Sequence, residues 1–508
     1  MDAMMTARSR VWVLGAGSMG AGIAQLAAQA GHAVCLYDTR APALERALSA
    51  IAADLDGAVS RGKLSPEQRQ AIFERIQPTN DIESGRGSGI VIEAITEDLS
   101  AKQELLGSVQ AFVADDALLL SNTSSLSITA IAAALHRPQR VAGWHFFNPA
   151  VRMKLVEIIP GLQTDSSVVE TLRTLSQEWG KTPVVAPNGP GFIVNRVARP
   201  YYAEAWRLLA EGAAPAAAID ALLRQCGGFA LGPFELMDLI GHDINLAVTE
   251  SVFRSTGYDS RYAPALMQQE LVRAGRLGRK SGNGVYQYRD GATTVPEVEA
   301  TKPANVLPMV RYAAVLKSLA PLVDRLRQAG VALVLDSLLP EDALGVGAAT
   351  VVLTDGRIAA QRAAEESCPS LILLDLALDF ASTPLLGACA TDAARSDLAV
   401  LAAALAMTGL KLIELADVAG LVVARIVAML VNEAADLASW NAVRAADIDL
   451  AMRLGTAYPR GPLAWGRTLG PARVHALLHN LFDHYGDFRY RAAPRLSAAR
   501  WTGAALDA

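Results

Sequence analysis

One short segment near the start of the chain restricts its fold more than any other. Residues 10–15, RVWVLG, are typical of a β-strand that ends in glycine, and GAGSMGAGIAQLAAQAGH follows. Gly15, Gly17 and Gly20 have the spacing G-x-G-x-x-G, and apolar residues then recur at helical intervals. A strand, a glycine turn and a helix in this order predict the first unit of a doubly wound, mostly parallel α/β sheet.

The same glycines indicate what the turn binds. Gly15 permits a tight turn, Gly17 lets the backbone approach a pyrophosphate, and Gly20 lets the helix pack close to the strand. The pyrophosphate would lie at the helix N-terminus, where free amides and the helix dipole favour negative charge. Asp38 ends the next predicted strand, AVCLYD, where an acid accepts hydrogen bonds from a ribose and repels a 2′-phosphate. We therefore predict NAD as the cofactor; the alternative is a glycine-rich turn without a ligand.

Further strand-like runs predict the rest of this sheet, and polar residues follow their ends. The runs are GIVIEAI at 89–95, LLLSNTSS at 118–125, VAGWHFF at 141–147 and KLVEII at 154–159. In doubly wound sheets, ligands bind outside the carboxyl ends of the strands. The polar residues at or just beyond such ends are Glu93, Glu97, the segment 121–125 and His145. We expect one crevice to collect them.

His145 and Glu157 are polar residues in unusually apolar surroundings. His145 lies among aromatics in GWHFFNP, and Glu157 lies within LVEII on the next strand. A carboxylate that accepts a hydrogen bond from one ring nitrogen leaves the other nitrogen free to act as a base. The alternative is a histidine with satisfied hydrogen bonds in the core and a glutamate that reaches the surface. These two residues alone do not separate the two interpretations.

Six segments together resemble one enzyme family. GAGSMGAGIA, SNTSSL, HFFNP, LVEI, GFIVNR and LGRKSGNGVYQY occur in this order between about residues 9 and 288. The series is similar to that of the L-3-hydroxyacyl-CoA dehydrogenases. This resemblance implies a Rossmann NAD-binding domain followed by an all-helical domain, with the substrate thioester between them. It also implies oxidation of an L-3-hydroxyacyl-CoA to the 3-oxoacyl-CoA with NAD, without a metal ion.

The resemblance implies a role for individual residues. His145 would take the proton of the 3-hydroxyl as hydride passes to NAD, and Glu157 would orient His145. Ser124 and Asn195 would hydrogen-bond the substrate oxygen, which stabilises developing charge in the ketone-reducing direction. The positions that match cofactor contacts, including those of the glycine turn, are Gly15, Gly17, Gly20, Asp38, Glu97, Lys102, Asn148 and Lys280.

Arg61 falls where the family uses a lysine toward the CoA moiety, on the helical extension after Asp38. An arginine keeps the charge that CoA phosphates require. Asp54 stands at a position that is a serine in relatives, and an acid is unfavourable beside an anionic ligand. The resemblance therefore implies Arg61 as a substrate-binding residue and leaves the surroundings of Asp54 open.

The second half of the chain repeats part of the first. Residues 191–241, which begin GFIVNRVARPYYAEAW, align without a gap with residues 420–470, which begin GLVVARIVAMLVNEAA. The helical domain is therefore present twice. Asn195 is matched by Ala424, and no second HFFNP segment precedes the second copy. We interpret copy two as a degenerate, structural domain that packs on copy one and replaces a dimer interface between chains.

Residues 309–405 read as α/β again, with VALVLD, TVVLTDG and SLILLDLALD as strands, but no G-x-G-x-x-G opens a helix there. This part resembles the reduced, cofactor-free Rossmann-like segment of two-copy family members. The predicted domains are the NAD-binding domain at 8–187, the catalytic helical copy at 188–290, the reduced Rossmann-like segment at 309–405 and the degenerate helical copy at 411–500.

Composition excludes several other classes of partner and location. The net charge is −5 and no run rich in lysine or arginine occurs, which argues against nucleic acid. The opening MDAMMTARSRVWVLG lacks a signal peptide's apolar region, and 398–410 is too short to span a bilayer. Four scattered cysteines without a C-x-x-C pair favour a reducing cytoplasm. His475, His479 and His484 lack a metal-protease motif, and we predict no metal.

The two-copy layout resembles the 3-hydroxyadipyl-CoA dehydrogenases of phenylacetate degradation, which implies a dicarboxylic acyl-CoA as the substrate. The alternatives are a 3-hydroxybutyryl-CoA dehydrogenase and, in a different class, a non-catalytic NAD-binding relative. Arg152, Lys154 and Arg199 are candidate contacts for a distal carboxylate by their sequence proximity to the site motifs. The chain is compatible with a homo-oligomer.

Overall fold

The computed structural model describes residues 9–289, 292–440 and 442–506. The chain divides into two compact units. The first comprises Met1–Arg196 and Asn441–Thr456, and the second comprises Val197–Trp440 and Ala457–Ala508. No helix among the described residues is both long and apolar enough to cross a lipid bilayer. The four cysteines are unpaired, and Cys35, Cys226 and Cys389 are buried.

The first unit contains an eight-stranded sheet in the order β3-β2-β1-β4-β5-β6-β7-β8. Every side chain of β1, β2, β4 and β5 is buried, as is usual for parallel strands that are covered on both faces. Strands β6 and β7 form the one antiparallel pair of this sheet, and β8 pairs parallel with β7. The strands are β1 (Val11–Leu14), β2 (Val34–Tyr37), β3 (Ile76–Thr79), β4 (Ile90–Glu93), β5 (Leu118–Ser121), β6 (Val141–Phe146), β7 (Leu155–Pro160) and β8 (Thr182–Val185).

Helices connect these strands, and α7 leads out of the first unit. They are α1 (Ser18–Gln29), α2 (Ala41–Ser60), α3 (Pro66–Glu74), α4 (Leu99–Val109), α5 (Ile128–Ala132), α6 (Ser166–Glu178) and α7 (Val194–Val197). The side chains of α1 that face the sheet, including Ile23 and Leu26, are buried. Helix α2 and helix α3 together form the predicted helical extension after Asp38.

The second unit combines helices with a second sheet, in the order β12-β11-β13-β14-β15-β16-β17. Its strands are β11 (Met309–Tyr312), β12 (Ala332–Leu335), β13 (Leu344–Val346), β14 (Ala349–Leu353), β15 (Leu371–Leu374), β16 (Leu385–Ala390) and β17 (Lys411–Glu414). A separate hairpin pairs β9 (Gln287–Arg289) with β10 (Ala292–Thr294). The predicted strands at VALVLD, TVVLTDG and SLILLD are present; β11, β13, β16 and β17 were not predicted.

The remaining helices follow in chain order, and α17 alone among them belongs to the first unit. They are α8 (Arg199–Ala210), α9 (Ala216–Gln225), α10 (Pro233–Ile240), α11 (His242–Ser255), α12 (Leu266–Arg273), α13 (Ala320–Gln328), α14 (Ala359–Glu365), α15 (Arg395–Ala406), α16 (Val423–Ala438), α17 (Ala445–Thr456), α18 (Pro462–Leu469), α19 (Pro471–Tyr485) and α20 (Pro494–Thr502). The fold class predicted from the sequence is confirmed.

The last four strands of the second sheet repeat the pairing of the last four strands of the first. Strands β5 and β6 are parallel, β6 and β7 antiparallel, and β7 and β8 parallel. Strands β14 to β17 pair in the same sequence of directions. The second half of the chain therefore carries a shortened version of the first sheet in front of its own helical copy.

Within the second unit, the two helical copies meet through equivalent elements. Helix α8 packs against α16, which begins the second copy. Arg425 on α16 donates from Nε to Glu204 Oε2 on α8 at 2.8 Å, and both side chains are fully buried. Tyr490 Oη donates to Glu204 at 3.1 Å, and Tyr262 Oη donates to Glu433 at 2.5 Å. Each copy thus supplies a tyrosine to the buried glutamate of the other, as across a two-fold axis.

Candidate active site

The glycine turn after β1 has the three features that its sequence predicts. Gly15 has a φ of +106°, and a Cβ there would lie 2.6 Å from Ala94 O. A Cβ on Gly20 would lie 1.8 Å from Gly15 O, so only glycine allows α1 to pack this closely. A Cβ on Gly17, the residue before α1, would meet nothing within 4 Å. The N-terminus of α1 is therefore open to a diphosphate, as a bound dinucleotide requires.

Asp38 lies one residue past β2 and is held in place by backbone amides. Its Oδ2 accepts from Ala16 N and its Oδ1 from Arg40 N, each at 2.9 Å. The carboxylate is thus attached directly to the glycine turn and is mostly buried. This arrangement fits the predicted dinucleotide, with the diphosphate at α1 and a ribose at Asp38.

We expect the Asp38→Asn variant to bind NADH more weakly by about 1.5–3 kcal/mol, a factor of about 10–150, because a charged acceptor is lost. NADPH should lose less affinity, because the repulsion of its 2′-phosphate disappears. Nicotinamide fluorescence titrations of both nucleotides measure the two affinities. The exposed Asp56→Asn serves as the control. Equal losses for NADH and NADPH would mean that the change disturbs the glycine turn and that Asp38 does not discriminate.

The strand pair β6 and β7 brings His145 and Glu157 face to face. The two residues are direct partners in the antiparallel register, and His145 Nδ1 lies 2.7 Å from Glu157 Oε2. His145 is 4% exposed and Glu157 is fully buried. On the other side of the ring, Nε2 lies 3.2 Å from Ser124 Oγ, just beyond β5. With Nδ1 donating to the carboxylate, Nε2 is the nitrogen that is left to accept a proton.

Glu157 has a second set of hydrogen bonds. Its Oε1 accepts from Ile193 N at 3.0 Å and from Val194 N at 3.1 Å, at the start of α7. Asn195 follows directly in the same helix. One buried carboxylate therefore holds both the histidine ring and the segment that carries Asn195.

Glu97 gathers the serine segment after β5. It accepts from Thr123 Oγ1 at 2.6 Å, from Ser124 N at 2.9 Å and from Ser125 N at 3.0 Å. Burial alone would raise the pKa of Glu97, but Lys102 and these donors together hold its pKa below the ordinary value. Glu97 is therefore an anionic acceptor that holds the backbone of Ser124 in place.

Lys102 is the cationic centre beside that acceptor. It is almost fully buried on α4, and its Nζ donates to Glu93 Oε1 at 2.7 Å and lies 3.3 Å from Glu97 Oε2. Glu93 also accepts from Ser121 Oγ at 2.6 Å and is fully buried. Both Lys102 and Glu93 are thus engaged with protein groups, and Glu97 is the member of this cluster that reaches the loop of Ser124.

The other predicted site residues belong to other segments of the chain. Asn148 is exposed on the loop between β6 and β7, and Arg61 is exposed at the C-terminal end of α2. Lys280 belongs to the second unit, where its Nζ lies 2.6 Å from Asp243 Oδ1. Arg199 is also in the second unit, with Nη1 2.9 Å from Thr249 Oγ1.

Asp54 is already neutralised by neighbouring side chains. Gln25 Nε2 donates to its Oδ2 at 2.9 Å, and Arg152 Nη2 to its Oδ1 at 3.2 Å. The hydrogen bond from Gln25, followed by the bond and charge of Arg152, holds the pKa of Asp54 below its ordinary value. The acid thereby joins α1, α2 and the loop that follows His145, and it does not present a free negative charge.

The second sheet has a counterpart of the His145–Glu157 pair that contains neither residue. Asp375 follows β15, and its amide donates to Gly387 O on β16. The preceding register pair is Leu374 with Ala388, so Asp375 stands opposite Gly387. Asp375 thus occupies the place of His145, and Gly387 that of Glu157. Asp375 Oδ2 accepts from Val422 N and Val423 N at 3.0 and 2.7 Å, the counterparts of Ile193 and Val194.

Sequence patterns did not reveal several of these contacts. The links between Asp54 and Arg152 and between Lys102 and Glu93 join residues on different elements, and Asp375 has no histidine nearby to mark it. Lys181, between α6 and β8, was also missed, because a single lysine before the apolar run of β8 is a weak signal.

Comparison with known proteins gives three family matches along the chain. Residues 10–189 match the family "3-hydroxyacyl-CoA dehydrogenase, NAD binding domain". Residues 191–288 and again 420–505 match "3-hydroxyacyl-CoA dehydrogenase, C-terminal domain". Residues 351–418 match "3-hydroxybutyryl-CoA dehydrogenase reduced Rossmann-fold domain".

Individual relatives agree with these matches. A 3-hydroxyadipyl-CoA dehydrogenase of Escherichia coli is 43% identical over 96% of both chains. A probable 3-hydroxybutyryl-CoA dehydrogenase of Bacillus subtilis is 40% identical over 55% of this chain and 98% of its own. The crystal structure of a 3-hydroxybutyryl-CoA dehydrogenase from Escherichia coli has a TM-score of 0.86 and 40% identity, and covers 97% of this chain and 98% of its own.

Proposed function

This chain belongs to the 3-hydroxyacyl-CoA dehydrogenase family, and we propose that it oxidises a dicarboxylic substrate, 3-hydroxyadipyl-CoA. The chain is an NAD-dependent oxidoreductase that acts on an L-3-hydroxyacyl-CoA. The choice of the dicarboxylic thioester rests on one observation: the similarity to a 3-hydroxyadipyl-CoA dehydrogenase extends over 96% of both chains. A place in phenylacetate catabolism is part of the same proposal.

We propose that His145 is the base. Its Nε2 accepts the proton of the 3-hydroxyl while its Nδ1 donates to Glu157, 2.7 Å away. The carboxylate then stabilises the imidazolium that forms, and the burial of both groups keeps water from competing for the same hydrogen bonds. In the reverse direction, the imidazolium returns the proton to the oxygen of the reduced ketone.

Ser124 and Asn195 complete the proposed site as donors to the substrate oxygen. Ser124 Oγ lies 3.2 Å from His145 Nε2, so a substrate oxygen placed beside this pair would lie within hydrogen-bond distance of both atoms. Glu97 fixes Ser124 by accepting hydrogen bonds from the loop at 123–125. Glu157 accepts hydrogen bonds at the start of α7, from the residues directly before Asn195. The site is therefore assembled before the substrate arrives.

NAD, when bound, supplies the acceptor for the hydride. The protein groups proposed to hold it are the turn of Gly15, Gly17 and Gly20, with Asp38 at the ribose, and the contacts at Glu97, Lys102, Asn148 and Lys280. We propose that the guanidinium of Arg61, which is exposed at the end of α2, contacts the CoA phosphates.

We propose that the second half is structural. At the place of the catalytic pair it has Gly387 and Asp375, whose carboxylate accepts from Val422 N and Val423 N, and at the place of Asn195 it has Ala424. The histidine of the first half and its amide side chain are thus both replaced there. Its helical copy packs on the first through α8 and α16 with reciprocal tyrosine–glutamate contacts. We propose that this packing is an internal pseudo-dimer that replaces an interface between chains.

The proposed domain layout follows the sequence expectation of 8–187, 188–290, 309–405 and 411–500, with the catalytic residues in the first two domains. We also propose a cytoplasmic location, which the four unpaired thiols support.

The substrate proposal predicts a clear preference between two thioesters. In NADH oxidation, kcat/KM for 3-oxoadipyl-CoA should exceed that for acetoacetyl-CoA by at least about tenfold, because a bound distal carboxylate contributes about 1.5–3 kcal/mol. Steady-state rates for both thioesters measure it.

A preference for acetoacetyl-CoA would favour the second candidate, a short-chain 3-hydroxybutyryl-CoA dehydrogenase. The name of the solved structure with a TM-score of 0.86 supports that candidate. Activity on neither thioester would leave the dehydrogenase assignment without support and favour a non-catalytic NAD-binding relative.

A further inference from the structure

Lys181 is an ammonium group buried beneath the loop that joins the two strands of the catalytic pair. It lies between α6 and β8 and is 6% exposed. Its Nζ donates to Ala150 O at 2.5 Å, to Met153 O at 2.8 Å and, at the longer distance of 3.4 Å, to Val151 O. An ammonium has three protons, so this one side chain can donate to all three backbone carbonyls of the same loop.

That loop, residues 147–154, connects His145 on β6 to Glu157 on β7. It is held from outside by the ion pair of Arg152 with Asp54, at 3.2 Å. It also approaches α1 closely, since a Cβ on Gly22 would lie 3.1 Å from the Cβ of Ala150. The residue after Lys181 joins the same loop, because Thr182 N donates to Lys154 O at 2.8 Å.

The charge of Lys181 is balanced by carbonyl dipoles. The charged group that acts on it is Lys154, of the same sign, while Arg152 on the same loop is turned to Asp54. A buried ammonium is costly unless its protons are hydrogen-bonded, and here all three are directed at carbonyl oxygens. Removing the ammonium would leave these carbonyls without their donor, so the loop would lose what holds its inner side.

We propose that Lys181 is a positioning residue of the reaction, which fixes the 147–154 loop and thereby the alignment of His145 with Glu157. This rests on the proposed role of His145 as the base. Lys181 does not touch the substrate; it acts through the loop that sets the ends of β6 and β7. Misplacement of a reacting group by about 1 Å is enough to lower a rate about 100-fold.

The ammonium also makes this support sensitive to pH. Burial, and to a smaller extent the charge of Lys154, lowers the pKa of Lys181 to about 8. A pKa below the ordinary value of 10.5 means that the folded loop favours the neutral amine over the ammonium. The closed loop therefore gains stability, relative to an opened loop with a solvated lysine, as pH rises from about 8 toward 10.5.

The test compares Lys181→Met, Lys181→Arg and the exposed Lys302→Met as a control. We expect kcat for NADH oxidation with acetoacetyl-CoA to fall about 10- to 100-fold in Lys181→Met, with KM for the thioester changed less than about threefold. Lys181→Arg should recover part of the rate.

Hydrogen–deuterium exchange of the peptide that contains 148–154 gives a readout without catalysis. Its amides, including Arg152 N and Met153 N on Pro149 O, should exchange faster in Lys181→Met and at the parental rate in Lys302→Met. Parental kcat and parental exchange in Lys181→Met overturn the proposal. If that variant does not fold, parental kcat and parental exchange in Lys181→Gln, which keeps a donor but not the charge, overturn the proposal. A parent without dehydrogenase activity contradicts the proposed function, while the exchange measurement still decides the contact.

Discussion

The His145→Ala variant should lose about 100- to 10,000-fold in kcat for NADH oxidation with its preferred thioester, because a positioned acid–base group is removed. Glu157 and Ser124, which flank the ring, would stay in place. Glu157 keeps its hydrogen bonds from Ile193 N and Val194 N, and Ser124 N keeps its bond to Glu97. Stopped-flow and steady-state rates across pH measure the loss. NADH binding should be unchanged within about threefold, because the proposed diphosphate and ribose contacts, Gly17 and Asp38, follow β1 and β2 and not β6.

The matched control for this variant is His136→Ala, which removes an exposed histidine from the same unit. Its kcat should equal that of the parent. A His145→Ala variant that retains parental kcat with intact NADH binding would contradict the role of His145 as base, whatever the substrate proves to be. A variant that loses NADH binding as well would indicate a folding defect and would require His145→Gln, which preserves more of the side-chain volume.

The Arg425→Leu variant should lose about 3–5 kcal/mol in the free energy of unfolding of the second unit, because it removes one of the two arginines paired with the buried Glu204 and leaves Arg207 as the remaining cation. Arg425 is fully buried and donates to Glu204, to both oxygens of Glu211 and to the hydroxyls of Tyr485 and Tyr490. Urea titrations followed by circular dichroism measure the loss. The exposed Arg395→Leu, whose partner Asp392 is almost fully in solvent, should change stability by less than about 1 kcal/mol.

Two further measurements separate the ion pair from a general packing effect. The double variant Arg425→Leu/Glu204→Leu should recover part of the lost stability, since the buried carboxylate is removed together with Arg425, while Arg207 loses the same carboxylate. The difference between parent and Arg425→Leu should also shrink at acid pH. Burial opposes ionisation of Glu204, but Arg207 and Arg425 hold its pKa below the ordinary value. Its contribution is therefore present above about pH 4.3 and is lost as pH falls below it.

A single Arg425→Leu within about 1 kcal/mol of the parent would contradict the stabilising role of this contact. It would also remove the main support for the proposed internal pseudo-dimer, because Arg425, in the first turn of α16, joins the two helical copies through Glu204 in the middle of α8. A loss as large in the double variant as in the single one would indicate that packing, and not the charge, holds the copies together.

Local sequence patterns were sufficient for the elements that carry the nucleotide turn and the catalytic pair. The turn of Gly15, Gly17 and Gly20 requires particular backbone conformations within six residues, so it is readable without the rest of the chain. His145 and Glu157 each lie on a strand with an evident apolar pattern, and the short connection between them favours adjacent strands. Their pairing follows from that adjacency.

The repeat was also readable, but its consequences were not. Equal spacing of matched residues identifies two copies of the helical domain. It does not tell which surfaces meet, nor that Glu204 of one copy receives an arginine and a tyrosine from the other. Strands β11, β13, β16 and β17 were likewise missed, because β13 and β16 contain glycine and the four-residue β11 and β17 contain charged residues, so none is an uninterrupted apolar run.

The sequence by itself thus determined the α/β class, the dinucleotide turn, the two helical copies and the pairing of His145 with Glu157, since each depends on residues close together in the chain or on a repeated pattern. Only the tertiary structure decided that Asp54 is neutralised by Arg152, that Lys181 holds the loop between His145 and Glu157, and that Asp375 replaces the pair in the second half. These contacts join segments far apart in sequence, and which segments meet is decided by the packing of the whole unit rather than by any local pattern.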